Sequence, residues 1–127
     1  MLLFCLYIFL SPIIFIVILI LSIVNKKIRE KLYNGIITQR KAYNHFTNHL
    51  GNRSLILFHA ASAGEFEQIK PILSKIDRTK FYVLQTFFSP TIYNIEHSNN
   101  LFDSSCYHPF DFPWSAILFF KKFKPIK

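Results

Sequence analysis

The stretch Ser54-Leu-Ile-Leu-Phe-His-Ala-Ala-Ser-Ala-Gly-Glu65 decides how this chain folds. Residues 54–58 form a short continuous apolar run, the pattern of a strand buried on both faces, as strands of parallel sheets are. The run gives way to small residues, Ala60 to Gly64. A helix is expected next, because Phe66, Ile69, Ile72, Leu73 and Ile76 recur at helical spacing. Lys75 and Arg78 fall near its end, where cations complement the helix dipole. Pro71 falls inside it and is the residue that suits a helix least.

The same alternation continues downstream. Phe81-Tyr-Val-Leu-Gln-Thr86 reads as a second strand, followed by the polar turn Ser89-Pro90-Thr91 and a helix-like stretch from Ile92 to His97. A third extended piece, Ser105-Cys-Tyr-His108, runs into Pro109-Phe-Asp-Phe-Pro113. Pro113 suits the first turn of a helix carrying Ile117, Leu118 and Phe120. Strands alternating with helices predict an α/β fold: an incomplete, Rossmann-like parallel sheet wound right-handedly over residues 54–127. Three strands leave a sheet edge unpaired, so marginal stability is expected.

Upstream the chemistry changes twice. Residues 1–24 carry no charge and only three side chains that are not apolar, Ser11, Pro12 and Ser22. A helix of that length rises roughly 36 Å, enough to cross a hydrocarbon core of about 30 Å. The segment therefore reads as a transmembrane anchor, with Pro12 as a point of kinking. A cleaved signal peptide is the rival; it lacks a basic start and a small-x-small cleavage site here. Residues 25–53 form a basic juxtamembrane segment of net charge +6, against +2 for residues 54–127. Lys26, Lys27, Arg29 and Lys31 behind the anchor predict a single-pass protein of the inner (plasma) membrane with its soluble part cytoplasmic. Contact with anionic headgroups accounts for that collar.

Composition excludes several classes. The 127 residues are 51% hydrophobic and 17% aromatic, which rules out a disordered chain, and two cysteines, Cys5 and Cys106, cannot make a disulfide scaffold. The soluble part is nearly charge-balanced and has no nucleic-acid-binding motif. His45 and His49 are four apart and could share a helix face, but no third metal ligand stands near them. No metal site or cofactor is expected.

In parallel α/β sheets chemistry gathers at the C-terminal ends of the strands. That location singles out His59 to Glu65, Thr86 to Thr91 and His108 to Asp111. Glu65 has two readings. An acid in the first turn of a helix is stabilised by the dipole, by a few tenths of a kcal/mol up to about 1 kcal/mol. The same carboxylate at a strand-end crevice could serve as a general base beside backbone N–H groups that hold a phosphate.

The run Phe58-His-Ala-Ala-Ser-Ala-Gly-Glu-Phe-Glu-Gln68 resembles the N-terminal motif of 3-deoxy-D-manno-octulosonic acid (Kdo) transferases, inverting glycosyltransferases of lipopolysaccharide assembly. The resemblance continues in Gln85-Thr-Phe-Phe-Ser-Pro90 with Tyr93, and in Tyr107-His-Pro-Phe-Asp-Phe-Pro113 followed by Phe119, Phe120 and Lys124-Pro125. The anchor and the basic stretch with Lys27 and Arg40-Lys41 resemble that family as well. The resemblance implies the acceptor-binding half of a two-domain GT-B enzyme, which transfers Kdo from CMP-Kdo to a lipid A precursor at the inner membrane without a required metal. It implies Glu65 as the general base. It implies Ser62 and Gly64 as shapers of the turn beside Glu65, and acceptor-positioning roles for Ser89, Pro90 and Asp111. Phe58 stands where Trp is common, and Thr91-Ile-Tyr93 stands where a glycine usually occupies the middle.

In the family, Lys-Pro leads into a further strand, a Glu-x-Glu-x-Trp-Pro segment and a C-terminal domain that binds the CMP-sugar. With the sequence stopping at Lys127, the expectation is a truncated or split Kdo transferase, with CMP-Kdo a partner only when a C-terminal half is supplied. The alternatives are a catalytically inactive membrane-anchored fragment or a lipid-binding or interaction protein.

Overall fold

A computed structural model describes residues 2–126. The elements in chain order are α1 (Leu2–Val24), α2 (Lys26–His49), β1 (Ser54–Ala60), α3 (Ala63–Leu73), β2 (Phe81–Phe87), α4 (Pro90–Glu96), β3 (Ser104–Tyr107) and α5 (Pro113–Phe123). The three strands form one parallel sheet in the order β1-β2-β3. Ser54 pairs with Phe81 through to Ala60 with Phe87, and Leu84 with Ser104 through to Phe87 with Tyr107. The α/β class and the incomplete Rossmann-like sheet expected from the sequence are what the chain adopts.

Side chains alternate across the sheet and build two cores. Leu55, Tyr82, Leu84 and Cys106 face α2 and α5, where Ala42, Phe46, Phe119 and Phe123 close over them. Ala60, Val83 and Phe87 face α3 and α4, against Phe66, Leu73, Ile92 and Phe102. Each fully buried aromatic or aliphatic side chain contributes roughly 1.5–3 kcal/mol. The buried stripe of α5 is Phe119 and Phe123; Ile117, Leu118 and Phe120, expected on that helix, lie on its exposed side. Pro71 is accommodated because it is the ninth of eleven residues in α3, so only the Glu67 carbonyl loses its helical donor.

The basic stretch behind α1 is a helix laid along β3. Its buried residues Lys31, Thr38, Ala42 and Phe46 fall on one face. Thr38 Oγ1 accepts the Tyr107 N–H at 3.3 Å, and Gln39 Nε2 donates to the Tyr107 carbonyl at 3.0 Å. Polar side chains of α2 thus satisfy backbone groups on the outer edge of β3, an edge that the sequence left unpaired. On the opposite edge, the Ile126 N–H donates to the Leu55 carbonyl at 3.0 Å, laying residues 124–126 beside β1.

Helix α1 runs unbroken through Pro12. Proline removes the N–H that would reach the Ile8 carbonyl, and the Ser11 hydroxyl donates to that same carbonyl at 2.7 Å instead. The apolar span Cys5–Val24 is the one helix among the described residues long and apolar enough to cross a membrane. Asn25 ends it and caps α2, its Oδ1 accepting from Lys27 N at 3.0 Å and Ile28 N at 3.3 Å.

Candidate functional site

Glu65 is the third residue of α3, at the C-terminal end of β1. Ser62 caps this helix, its Oγ accepting the Glu65 N–H at 3.3 Å, while Glu65 Oε2 accepts the Ala61 N–H at 2.7 Å. Ser62-Ala-Gly-Glu65 is therefore a variant of the Ser-x-x-Glu capping box, in which the carboxylate reaches one residue beyond the cap. Among the described residues Oε1 of Glu65 accepts no hydrogen bond, and the side chain is exposed. One oxygen fixes the carboxylate and the other is open to a ligand. Gly64, next to it, adopts no left-handed conformation, and a Cβ there would meet nothing within 4 Å. Its effect is to leave open space beside the carboxylate.

Ser62 and Ser89 line one cleft of about 290 Å³ between the starts of α3 and α4, together with Thr91 and Glu96. Ser89 occupies the N-cap position of α4, yet its hydroxyl makes no capping hydrogen bond and so remains available in the cleft. Pro90, buried in the first turn of α4, sets the helix direction. Glu65 and Gly64 are not among the residues that line this cleft, and neither is Asp111. Asp111 lies in the exposed loop between β3 and α5, near enough to His108 to favour that residue's charged form.

A second cluster stands at the ends of the three strands, on the α2 side of the sheet. His59 and Thr86 are register partners, and their Nδ1 and Oγ1 atoms lie 3.1 Å apart. His108 Nδ1 lies 3.3 Å from the same Oγ1, and the two imidazole centroids are 4.3 Å apart. The single Thr86 hydroxyl proton goes to the Phe58 carbonyl at 3.1 Å. Both imidazoles must then donate through Nδ1, which leaves each Nε2 an acceptor when the ring is neutral. Burial pulls the His108 pKa down to about 4, helped by the charges of His59 and Lys31. Burial also lowers that of His59, with Glu65 opposing and Lys31 assisting.

Lys31 is the unexpected member. Counted by sequence with the lipid-facing collar, it is instead 4% exposed, and its Nζ stands 2.9 Å from the Phe88 ring centroid and 4.5 Å from that of Phe110. The ammonium has no hydrogen-bond partner among the described residues. Burial lowers its pKa to about 7. The helical stripe Lys31, Thr38, Ala42 and Phe46 was visible in the sequence, but reading the stretch as a charge run concealed it. His45 and His49 do stack, 4.1 Å between centroids, and no group of three metal-ligating side chains forms among the described residues.

No curated protein and no solved structure matches the chain. A family model does, over residues 35–126, from the lower half of α2 through β1 and its Glu65 turn to the segment beside β1. By that match the chain belongs to the 3-deoxy-D-manno-octulosonic-acid transferase (kdotransferase) family, of which it carries the N-terminal domain.

Proposed function

We propose that this chain is the acceptor side of Kdo transfer in lipopolysaccharide biosynthesis, acting with a donor-binding half that supplies the CMP-Kdo site. Residues 1–24 would anchor it in the inner membrane, with the exposed Lys26, Lys27 and Arg29 holding the cytoplasmic surface against anionic headgroups. The α/β domain would hold a lipid A precursor. In the reaction, the acceptor hydroxyl oxygen bonds to the anomeric carbon as the bond from that carbon to the CMP phosphate breaks. The hydroxyl proton passes to Glu65, and CMP leaves with the bonding electron pair.

The observation that carries this reading is the state of Glu65. Its carboxylate is pinned by the Ala61 N–H on one oxygen and, among the described residues, unpaired on the other, at the start of α3 behind the C-terminal end of β1 and next in sequence to the residues that line the Ser62–Ser89 cleft. Gly64 would leave space beside the carboxylate. Asp111, placed away from the cleft, would act on the acceptor from the His108 side. Positioning of the donor and stabilisation of its leaving phosphate are required for transfer and belong to the other half.

The test is transfer from CMP-Kdo to lipid A precursor in membranes, using the chain alone and with a C-terminal half. Product is expected only from the pair. Glu65→Gln keeps an oxygen for the Ala61 N–H, so fold and acceptor binding should persist while transfer falls by about 10²-fold or more. Undiminished turnover removes Glu65 from the base role. Acceptor binding with no transfer by any pair favours a lipid-binding protein without catalysis.

A further inference from the structure

The His59, Thr86 and His108 cluster has no role in the proton transfer to Glu65, yet its hydrogen bonds restrict what it can hold. Thr86 is fully buried, and its one hydroxyl proton is taken by the Phe58 carbonyl. The oxygen then offers only lone pairs, and each imidazole spends its Nδ1–H on it. Burial, assisted by the Lys31 charge and at His108 also by His59, outweighs the Glu65 and Asp111 carboxylates, so both rings are neutral at pH 7. Each Nε2 is therefore an unprotonated acceptor, turned away from Thr86. His59 is exposed; His108 is half-buried, and its Nε2, without a partner among the described residues, is not sealed from solvent. The ring centroids are 4.3 Å apart and the rings are inclined at 45°, which leaves the two Nε2 atoms a few ångströms from each other.

The ligand must bring protons to two neighbouring acceptors. An ionised phosphate or carboxylate brings none, and a metal ion would find no third protein ligand among the described residues. A pair of neutral hydroxyls fits, spaced as on adjacent carbons of a sugar ring.

We propose that His59 and His108 form a clasp for two hydroxyls of the acceptor sugar, with Thr86 as the positioning residue that keeps both rings acceptors. The clasp stands at the end of β1 that leads into the Glu65 turn, since His59 is two residues before the Ala61 N–H that holds the Glu65 carboxylate. It rests on the domain holding a sugar acceptor and not on Glu65 being the base.

The experiment places the full chain, carrying isotope-labelled histidine, in phosphatidylcholine nanodiscs and records the imidazole nitrogen resonances at pH 7. In the free chain the Nε2 atoms of His59 and His108 should resonate as unprotonated nitrogens. Lipid A precursor should shift both, as acceptance of a hydrogen bond does, and leave those of His49 and His97 in place. A form of the precursor with its sugar hydroxyls O-methylated and its phosphates intact should bind about tenfold more weakly, the loss of two hydrogen bonds. That comparison needs no variant. Thr86→Ser keeps the hydroxyl and should keep shifts and affinity, whereas Thr86→Val should give mixed tautomers at both rings and a loss of about tenfold, with circular dichroism reporting the fold of each. Failure of the unaltered chain to bind the precursor overturns the acceptor reading and the clasp together. Binding with either Nε2 unmoved, a protonated Nε2 in the free chain, equal affinity for the O-methylated form, or unchanged tautomers and affinity in Thr86→Val overturns the clasp alone.

Discussion

Lys31 places a cation among Phe88, Phe110 and the two strand-end histidines, and its environment sets a measurable balance. Lys31→Met has similar length and no charge, so it should raise stability at pH 7 by about 1–3 kcal/mol, as replacing buried charges with apolar groups often does. The pH dependence has a definite sign. Burial lowers the folded pKa to about 7, whereas the unfolded side chain titrates near 10.4. Between those values the unfolded chain binds the extra proton, so the Lys31 contribution to stability rises with pH. His59 and His108, also lowered, act below pH 6.5, outside the range compared. Urea titrations followed by circular dichroism at pH 7, 8 and 9 should show the gap between Lys31→Met and the unaltered chain narrowing as pH rises; a constant gap would remove the buried ammonium from the account. Of the site, Glu65, Ser62 and Ser89 were legible because helix-start motifs are local in sequence. The His59-Thr86-His108 cluster was legible only as three strand ends, since its hydrogen bonds follow from a register the sequence does not state. Lys31 was hidden, because a lysine behind an apolar segment resembles a topology signal until the face it occupies is known.

The elements are joined by one acidic residue just before β3. Asp103 accepts from Arg53 Nη1 at 3.0 Å, Arg78 Nε at 3.0 Å and the Val83 N–H at 2.7 Å. It thereby ties the chain entering β1 and the turn entering β2 to the start of β3. Burial alone would raise its pKa, but the hydrogen bonds from Arg78, Val83 and Arg53 together hold it below the usual carboxylate range. Asp103→Asn should cost about 2–3 kcal/mol, because both arginines lose a charged acceptor in a largely desolvated place. The depressed folded pKa means that this contribution is present above the unfolded value near 3.9 and is lost as pH falls through the folded one. Acid titration should therefore weaken the unaltered chain more steeply than Asp103→Asn, and parallel curves would sink this account. The three strands were legible to within two residues at their ends because buried parallel strands are apolar on both faces. α2 as a packed element was not, since its basic residues outnumber the few that touch the sheet. Which face of α5 is buried was not legible, because every residue from Ala116 to Phe120 is apolar, so periodicity could not choose a face.

At the scale of the molecule, and among the described residues, the sheet has one edge covered by a helix and one met by a single backbone hydrogen bond. Side chains of α2 meet backbone groups on β3, whereas on the outer side of β1 the described contact is the single hydrogen bond from Ile126 to Leu55. Exposed backbone on a flat strand invites pairing. The two cores are also small, each dominated by a few aromatic side chains on one face of three strands. Residues 25–127 on their own should therefore unfold with a midpoint below about 50 °C, the range of ordinary domains beginning near 45 °C. A peptide strand that pairs with the outer side of β1 should raise that midpoint by binding the folded form, in a concentration-dependent way. Cys106 offers a direct measure, since it lies wholly buried under α2 and α5 and burial pushes its thiol pKa up. Its labelling by a maleimide should require opening of the sheet and should slow when the added strand is present. A cooperative melt above about 50 °C without that strand would show that two edges, one covered by a helix and one met by a single hydrogen bond, suffice for a self-standing domain.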